Sequence, residues 1–419
     1  MSQYQPSNHS TCSFCHQPRR EGVQLIGAND VSICSTCVNL CMEIIHDKPG
    51  HQPVVWGDRS TPVPAEIKEF LDQYVVGQDL AKRKIAVAVY NHYKRLEANN
   101  RAKEGDVEIR KSNVLLIGST GTGKTLIAST LARKLGVPFT IADATTLTQA
   151  GYVGEDVENI IVNLYNAADK SVERTQRGIV YLDEIDKLAR KGAASSVSRD
   201  VSGEGVQQAL LKILEGTVAN VQIRGQKGQS NKDTVQIDTR DILFIVGGSF
   251  EGLDRLIEQR IGRRSVGYGR DDPMNRTVQE RRRILQKTTS EDLEQFGLIP
   301  EFMGRLPVIA VMDPLETEDL VHILTEPKNA LVRQYEKLLR FEKVKLTLTD
   351  DAVREIATLA SSRGTGARGL RAIMESVMLD LMYDVPSIED ISEVIVTGEV
   401  VKGEAAAEYV TASRIGVPN

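Results

Sequence analysis

The sequence predicts an α/β fold, a parallel sheet flanked by helices, with a small four-cysteine unit before it and a mainly helical unit after it. Three observations carry that prediction. Gly118-Ser119-Thr120-Gly121-Thr122-Gly123-Lys124-Thr125 is a complete G-x-x-x-x-G-K-[ST] phosphate loop, entered from an apolar run and followed by a helix-forming one. The apolar runs 113–117, 139–142, 179–182 and 242–246 lack polar alternation, which suits parallel strands buried on both faces. All five cysteines fall between positions 12 and 41. Such clustering favours a metal site over disulfides spread through the fold.

From the N-terminus, residues 1–50 hold the cysteines. Cys12-x₂-Cys15 and Cys34-x₂-Cys37 stand 18 residues apart, a spacing suited to tetrahedral Zn²⁺, with each pair on a tight turn. Four thiolates leave no open coordination position, so the site is expected to be structural. It would supply roughly 10 to 16 kcal/mol of apparent binding energy to a unit with little core of its own. Cys41, His16 and His46 are spare. Residues 51–64, with three prolines and the only Trp, form a semi-extended linker.

Residues 65–313 form the α/β unit. Glycines 118, 121 and 123 let backbone N–H groups turn inward on phosphate oxygens, and the positive end of the following helix adds to that field. Lys124 reaches the β- and γ-phosphates of ATP, the Thr125 hydroxyl ligates Mg²⁺, and Leu126 completes the nucleotide-binding stretch. Asp183 ends the apolar run beginning at Ile179 and is placed to hold the same Mg²⁺. Glu184 beside it is placed to polarise the attacking water. Arg305 and Arg368 each follow a glycine-containing turn and are candidates to complete the chemistry; spacing alone also allows a surface arginine at either position.

Between the two halves of this site lies Gly151-Tyr152-Val153-Gly154, an aromatic and a Val between glycines, a sticky tip ill suited to a solvated loop. Inside a nucleotide-driven module such a tip suggests a motor that grips something. Residues 314–408 read as a largely helical unit with one strand pair near 344–348 and 393–396, and residues 409–419 as a tail.

Composition narrows the function. Hydrophobic residues are 41% and charged residues 26%, an ordinary globular balance. Lys plus Arg number 52 against 57 Asp plus Glu, a net −5, so no global basic field draws in nucleic acid. A zinc-assisted nucleic-acid remodeller would need a basic pore, which a Tyr-Val tip does not provide. No apolar run approaches the roughly 18 residues that span a bilayer, and Met1 to Thr11 is polar, so a cytoplasmic location without membrane contact is expected.

The chain resembles the ClpX family of zinc-containing AAA+ unfoldases. The resemblance runs from the four-cysteine unit to about residue 400. It is carried by Tyr74-Val75-Val76-Gly77-Gln78, the phosphate loop, Gly151 to Gly154, Asp183 to Lys187, Arg199 to Gln208, Pro300 to Arg305 and Thr365 to Arg371. It implies an AAA+ module working as a homohexamer, an ATP-dependent unfoldase that threads proteins through a central pore into a ClpP-type peptidase; a peptidase-independent remodelling chaperone is the alternative. On that pattern Tyr152 and Val153 form the main pore loop and Arg199 begins a second. Arg305 is the finger that reaches the neighbouring subunit's nucleotide, Arg368 senses phosphate state, and Val75 and Val76 line the adenine pocket. The zinc unit would dock substrates and adaptors. Three departures stand out. Ser119 replaces a common Pro, residues 222–232 lack an Arg-Lys-His triplet, and Val266-Gly267-Tyr268 stands where the peptidase-docking loop usually has Ile-Gly-Phe.

Overall fold

The computed structural model describes residues 11–15, 17–18, 25–28, 31–38, 41, 61–99, 107, 109–148, 155–189, 203–223, 233–262, 277–388 and 390–411. The chain divides into two units, Met1–Ser60 and Thr61–Asn419. In the first, β1 (Leu25–Ala28) and β2 (Val31–Cys34) form an antiparallel hairpin, and Thr11 makes a single bridge to Pro18. Its described core is small: Cys12, Cys34 and Cys37, with Leu25 and Ile33 packed against them.

The second unit opens earlier than the linker read from the sequence implies. Thr61 is buried, its hydroxyl bonded to Glu97, and Pro64 takes the first position of helix α1 (Pro64–Asp72). A proline there loses nothing, since that N–H has no helical partner. Helix α2 (Asp79–Asn99) follows. The central sheet comprises β3 (Val114–Ile117), β4 (Phe139–Asp143), β5 (Ile179–Asp183), β6 (Leu243–Gly248) and β7 (Val308–Val311). They run parallel in the order β7-β3-β6-β5-β4. β3 and β6 are buried at every residue, as their unbroken apolar runs predict. Sequence reading missed β7 and the antiparallel hairpin of Val218–Ile223 with Asp233–Asp238.

Helix α3 (Lys124–Leu135) leaves the phosphate loop, with Arg133 and Lys134 in its last turn and Gly136 in a left-handed cap whose N–H donates to the last carbonyls, an ending that suits the helix dipole. Beyond β7, helices α4 (Thr317–Thr325), α5 (Leu331–Phe341), α6 (Asp350–Ser362) and α7 (Ala367–Asp384) share a second core. They pack with β8 (Lys345–Leu348), β9 (Ile391–Val396) and β10 (Glu408–Thr411). Tyr409, Val410 and Thr411, expected in a tail, therefore belong to a third strand, which pairs antiparallel to β9. Among the described residues no helix is long and apolar enough to cross a membrane.

Candidate functional site

Zinc fits the first unit. The sulfurs of Cys12, Cys15, Cys34 and Cys37 all lie within 4.8 Å of one another, and Cys41 is not among them. Cys15 Sγ and Cys34 Sγ are 3.8 Å apart, close to the roughly 3.8 Å that Zn–S bonds of about 2.3 Å impose in a tetrahedron. Backbone N–H groups also point at the sulfurs. Phe14 and Cys34 donate to Cys12 Sγ at 3.4 and 3.2 Å, and Cys37 donates to Cys34 Sγ at 3.4 Å. Burial raises the Cys12 thiol pKa, but these donors outweigh it and hold the group below the ordinary thiol range. Burial and the neighbouring sulfurs push the Cys37 thiol the other way, above that range. The set offers four soft sulfur donors, which is the chemistry of a closed zinc site.

The second site sits where an open α/β sheet places ligands, beyond the carboxyl ends of its strands. A cavity of about 670 Å³ opens there, bounded by Thr120, Gly121, the stretch Gly123 to Leu126, Asp183, Glu184, Ser249 and Arg368. Lys124 is buried, and its Nζ donates to the carbonyls of Gly118 at 2.7 Å and Ser119 at 3.1 Å. Burial lowers its pKa, while Asp183 and Asp186 oppose that shift. Thr125 Oγ1 donates to Asp183 Oδ2 at 3.2 Å. The phosphate-loop hydroxyl and the acidic strand end therefore meet across the cavity, 58 residues apart in sequence. Glu184 is exposed and holds a left-handed backbone (φ 57°) although it is not glycine. Strained conformations of this kind concentrate at functional sites. Asp186, which also lines the cavity, accepts from the Ser249 amide and hydroxyl at 3.1 and 2.9 Å.

The helical lobe closes the cavity from the far side. Ala367 N–H donates to the Gly121 carbonyl at 3.3 Å, so the first residue of α7 is bonded to the phosphate loop itself. The approach depends on two glycines. A Cβ on Gly121 (φ +83°) would lie 2.6 Å from the Thr365 carbonyl oxygen, and one on Gly366 (φ +57°) would lie 2.8 Å from that of Thr120. On the α/β side, the Gln78 side chain brackets Asp313, donating to its carbonyl at 2.8 Å and accepting from its amide at 2.7 Å. The turn at Gly77-Gln78 is thereby fixed to the point where the chain leaves the sheet for the helical lobe.

The structure thus brings together the phosphate loop, Thr125, Asp183, Glu184 and Arg368. Val75 is buried near the loop: a Cβ on Gly123 would lie 3.9 Å from its Cγ1. Val75 and Val76 line a smaller neighbouring cavity of about 400 Å³ with Pro327 and Lys328. Besides Leu126 and Ala367, the apolar lining of the main cavity comes from Tyr74, Ile323 and Leu331, together with Pro327 and Ala330. Sequence reading did not select those five, nor Ser249; only the Tyr74-Val75-Val76 adjacency pointed toward the first of them. Arg305 does not border the cavity; its Nε and Nη2 donate to Glu215 Oε1 at 2.9 and 2.7 Å on the chain's own surface. Tyr152, Val153, Arg199 and the Val266-Gly267-Tyr268 segment lie outside the described residues, as does most of 222–232.

Comparison with protein families agrees with this geometry. Residues 10–47 match the ClpX C4-type zinc finger, and residues 109–309 match the AAA domain (Cdc48 subfamily). Residues 315–400 match the C-terminal, D2-small domain, of ClpB protein. The last two matches meet beside Asp313, the residue that Gln78 holds.

Proposed function

A chain that joins a ClpX-type zinc finger to an AAA domain and a D2-small domain is a ClpX-like AAA+ ATPase of the chaperone class, and from that premise we propose that it spends ATP to unfold and thread protein substrates. The observation that carries this reading is the seam between lobes. The phosphate loop that would hold the nucleotide is hydrogen-bonded to the first turn of α7, a contact through which a change in phosphate state would reach the helical lobe. An ATPase that binds without moving has no need of such a contact.

Each residue then has a task. When bound, Mg²⁺-ATP supplies the phosphoryl group and the cation that neutralises its charge. Lys124 exchanges the carbonyls of Gly118 and Ser119 for phosphate oxygens. Thr125 and Asp183, already facing one another, would hold the cation. Glu184, exposed at the end of β5, would orient the attacking water and take its proton. Arg368, at the start of α7, reports phosphate state to the helical lobe. Arg305 serves the nucleotide of the next subunit in a homohexamer, which accounts for its position on the surface away from its own cavity. Val75 and Val76 flank the base. Tyr152, Val153 and Arg199 contact polypeptide in the pore. Val266-Gly267-Tyr268 docks a ClpP-type peptidase, and the zinc unit receives substrates or adaptors.

The test is to incubate the full chain with ATP and a stably folded, tagged protein, with and without a ClpP-type peptidase. ATP-dependent loss of native structure without peptidase, and peptide release with it, is the expected result. Hydrolysis with the substrate left native refutes the unfolding role. Unfolding without degradation refutes only the docking assignment.

A further inference from the structure

We infer that the Tyr181 hydroxyl is a positioning group, set beneath Asp183 to aim that carboxylate at the cation. The inference rests on the reading of Asp183 as the Mg²⁺-binding carboxylate and extends it to a residue no motif selects.

Tyr181 lies in the most buried part of β5; it is fully buried, as are Ile179, Val180 and Leu182. A position like this asks only for an apolar body, and Phe would provide one. A hydroxyl taken out of water is unfavourable unless it finds a partner. The partner here is specific: Tyr181 Oη donates to Asp183 Oδ1 at 3.1 Å. Residues two apart on a strand share a face, so the phenol reaches along β5 to the acid at its end.

The two carboxylate oxygens are thereby given separate duties. Oδ1 is anchored on the protein side, accepting from Tyr181 Oη and from the Glu184 amide at 3.0 Å. Oδ2 is turned toward the phosphate loop, where it accepts from Thr125 Oγ1. Rotation of the carboxylate would break the anchoring pair and the Thr125 contact together.

The neighbouring strand is cut to fit. Ile245 pairs with Tyr181 in the register of β6 against β5, and Gly247 lies two residues further along. A Cβ on Gly247 would lie 2.1 Å from Tyr181 Oη and 2.8 Å from Cζ. Glycine in a central strand weakens it and marks a close approach; what approaches here is the phenol on its way to Asp183. Side chains that orient metal-ligating carboxylates typically matter about 10- to 100-fold in metal affinity.

The experiment follows binding of a fluorescent ATP analogue to the full chain during a Mg²⁺ titration, for wild type, Tyr181→Phe and Asp183→Asn, with affinity in EDTA and metal-free melting measured beside it. Tyr181→Phe is expected to match wild type in EDTA and in melting, and to need about tenfold more Mg²⁺ for half-maximal tightening. An unshifted Mg²⁺ midpoint in Tyr181→Phe, with Asp183→Asn losing the Mg²⁺ response, overturns the role of the hydroxyl alone. A Tyr181→Phe variant weakened equally with and without Mg²⁺, and melting lower, also overturns it by making the hydroxyl merely structural. A normal Mg²⁺ response in Asp183→Asn overturns the assignment of Asp183, and this inference with it.

Discussion

The zinc unit and the ATPase unit reach a defined structure by opposite means. In the first, three cysteines and two aliphatic residues make up the described core, and the hairpin is held where four sulfurs converge. In the second, a five-stranded sheet carries a continuous apolar core from Leu115 to Val311, with a separate core in the helical lobe. A few dozen residues bury too little surface to fold alone, and a metal replaces the missing hydrophobic term. A larger unit can be stabilised by packing, which leaves its polar residues free for chemistry. Function follows the same division. Closed coordination suits a docking platform with fixed shape, and an open cavity between two lobes suits a cycle of binding and movement.

Chelation should separate the two most sharply. Removing Zn²⁺ withdraws about 10 to 16 kcal/mol of apparent binding energy from the first unit. Limited proteolysis is then expected to cut within residues 11–41 while the fragment from Thr61 onward survives with its melting transition unchanged. Loss of both units together would break the comparison. Next in size, Glu184→Gln should slow ATP turnover by about 10²- to 10⁴-fold with nucleotide still bound, measured as trapped ATP after rapid filtration. Unchanged turnover would refute the assignment of Glu184.

Packing provides the third test. Phe244→Ala removes a fully buried ring from β6 and should cost about 3 to 5 kcal/mol in the second unit's unfolding. Zinc content should stay at one ion per chain. The smallest effect falls at the seam. Gly366→Ala places a Cβ 2.8 Å from the Thr120 carbonyl at φ +57° and should cost about 1 to 3 kcal/mol. Its larger consequence is expected in coupling, as hydrolysis that no longer responds to protein substrate.

What could be read in the sequence divides along physical lines. The phosphate loop, the Asp183-Glu184 pair and the cysteine spacing were legible because their chemistry fixes residue type and interval together. β3, β4, β5 and β6 were legible as apolar runs, but β4, at the sheet edge, is only partly buried rather than covered on both faces, with Ile141 exposed. β7 is as short as β3 and equally apolar, but it comes directly after Pro307, which reads as a break rather than the start of a central strand. The hairpin strands at 218–223 and 233–238 mix polar and apolar residues and flank a polar segment, so they read as loop. Tyr74, Ile323 and Leu331 reach the cavity only because two lobes close on each other, and nothing in an ordinary core residue announces that. Tyr181 shows the same limit. In a run of Ile, Val and Leu it passes as one more apolar residue until Asp183 is found above its hydroxyl.

The central claim is that nucleotide turnover in the second unit pulls on polypeptide through the Gly151 to Gly154 tip. It is tested most directly by following loss of native fluorescence of a stably folded, tagged substrate with wild type and Tyr152→Ala, and recording ATP hydrolysis in the same samples. Wild type should unfold the substrate, and Tyr152→Ala should hydrolyse ATP at a comparable rate while leaving it native. Equal unfolding by the two proteins, or hydrolysis lost in step with unfolding, would contradict the account.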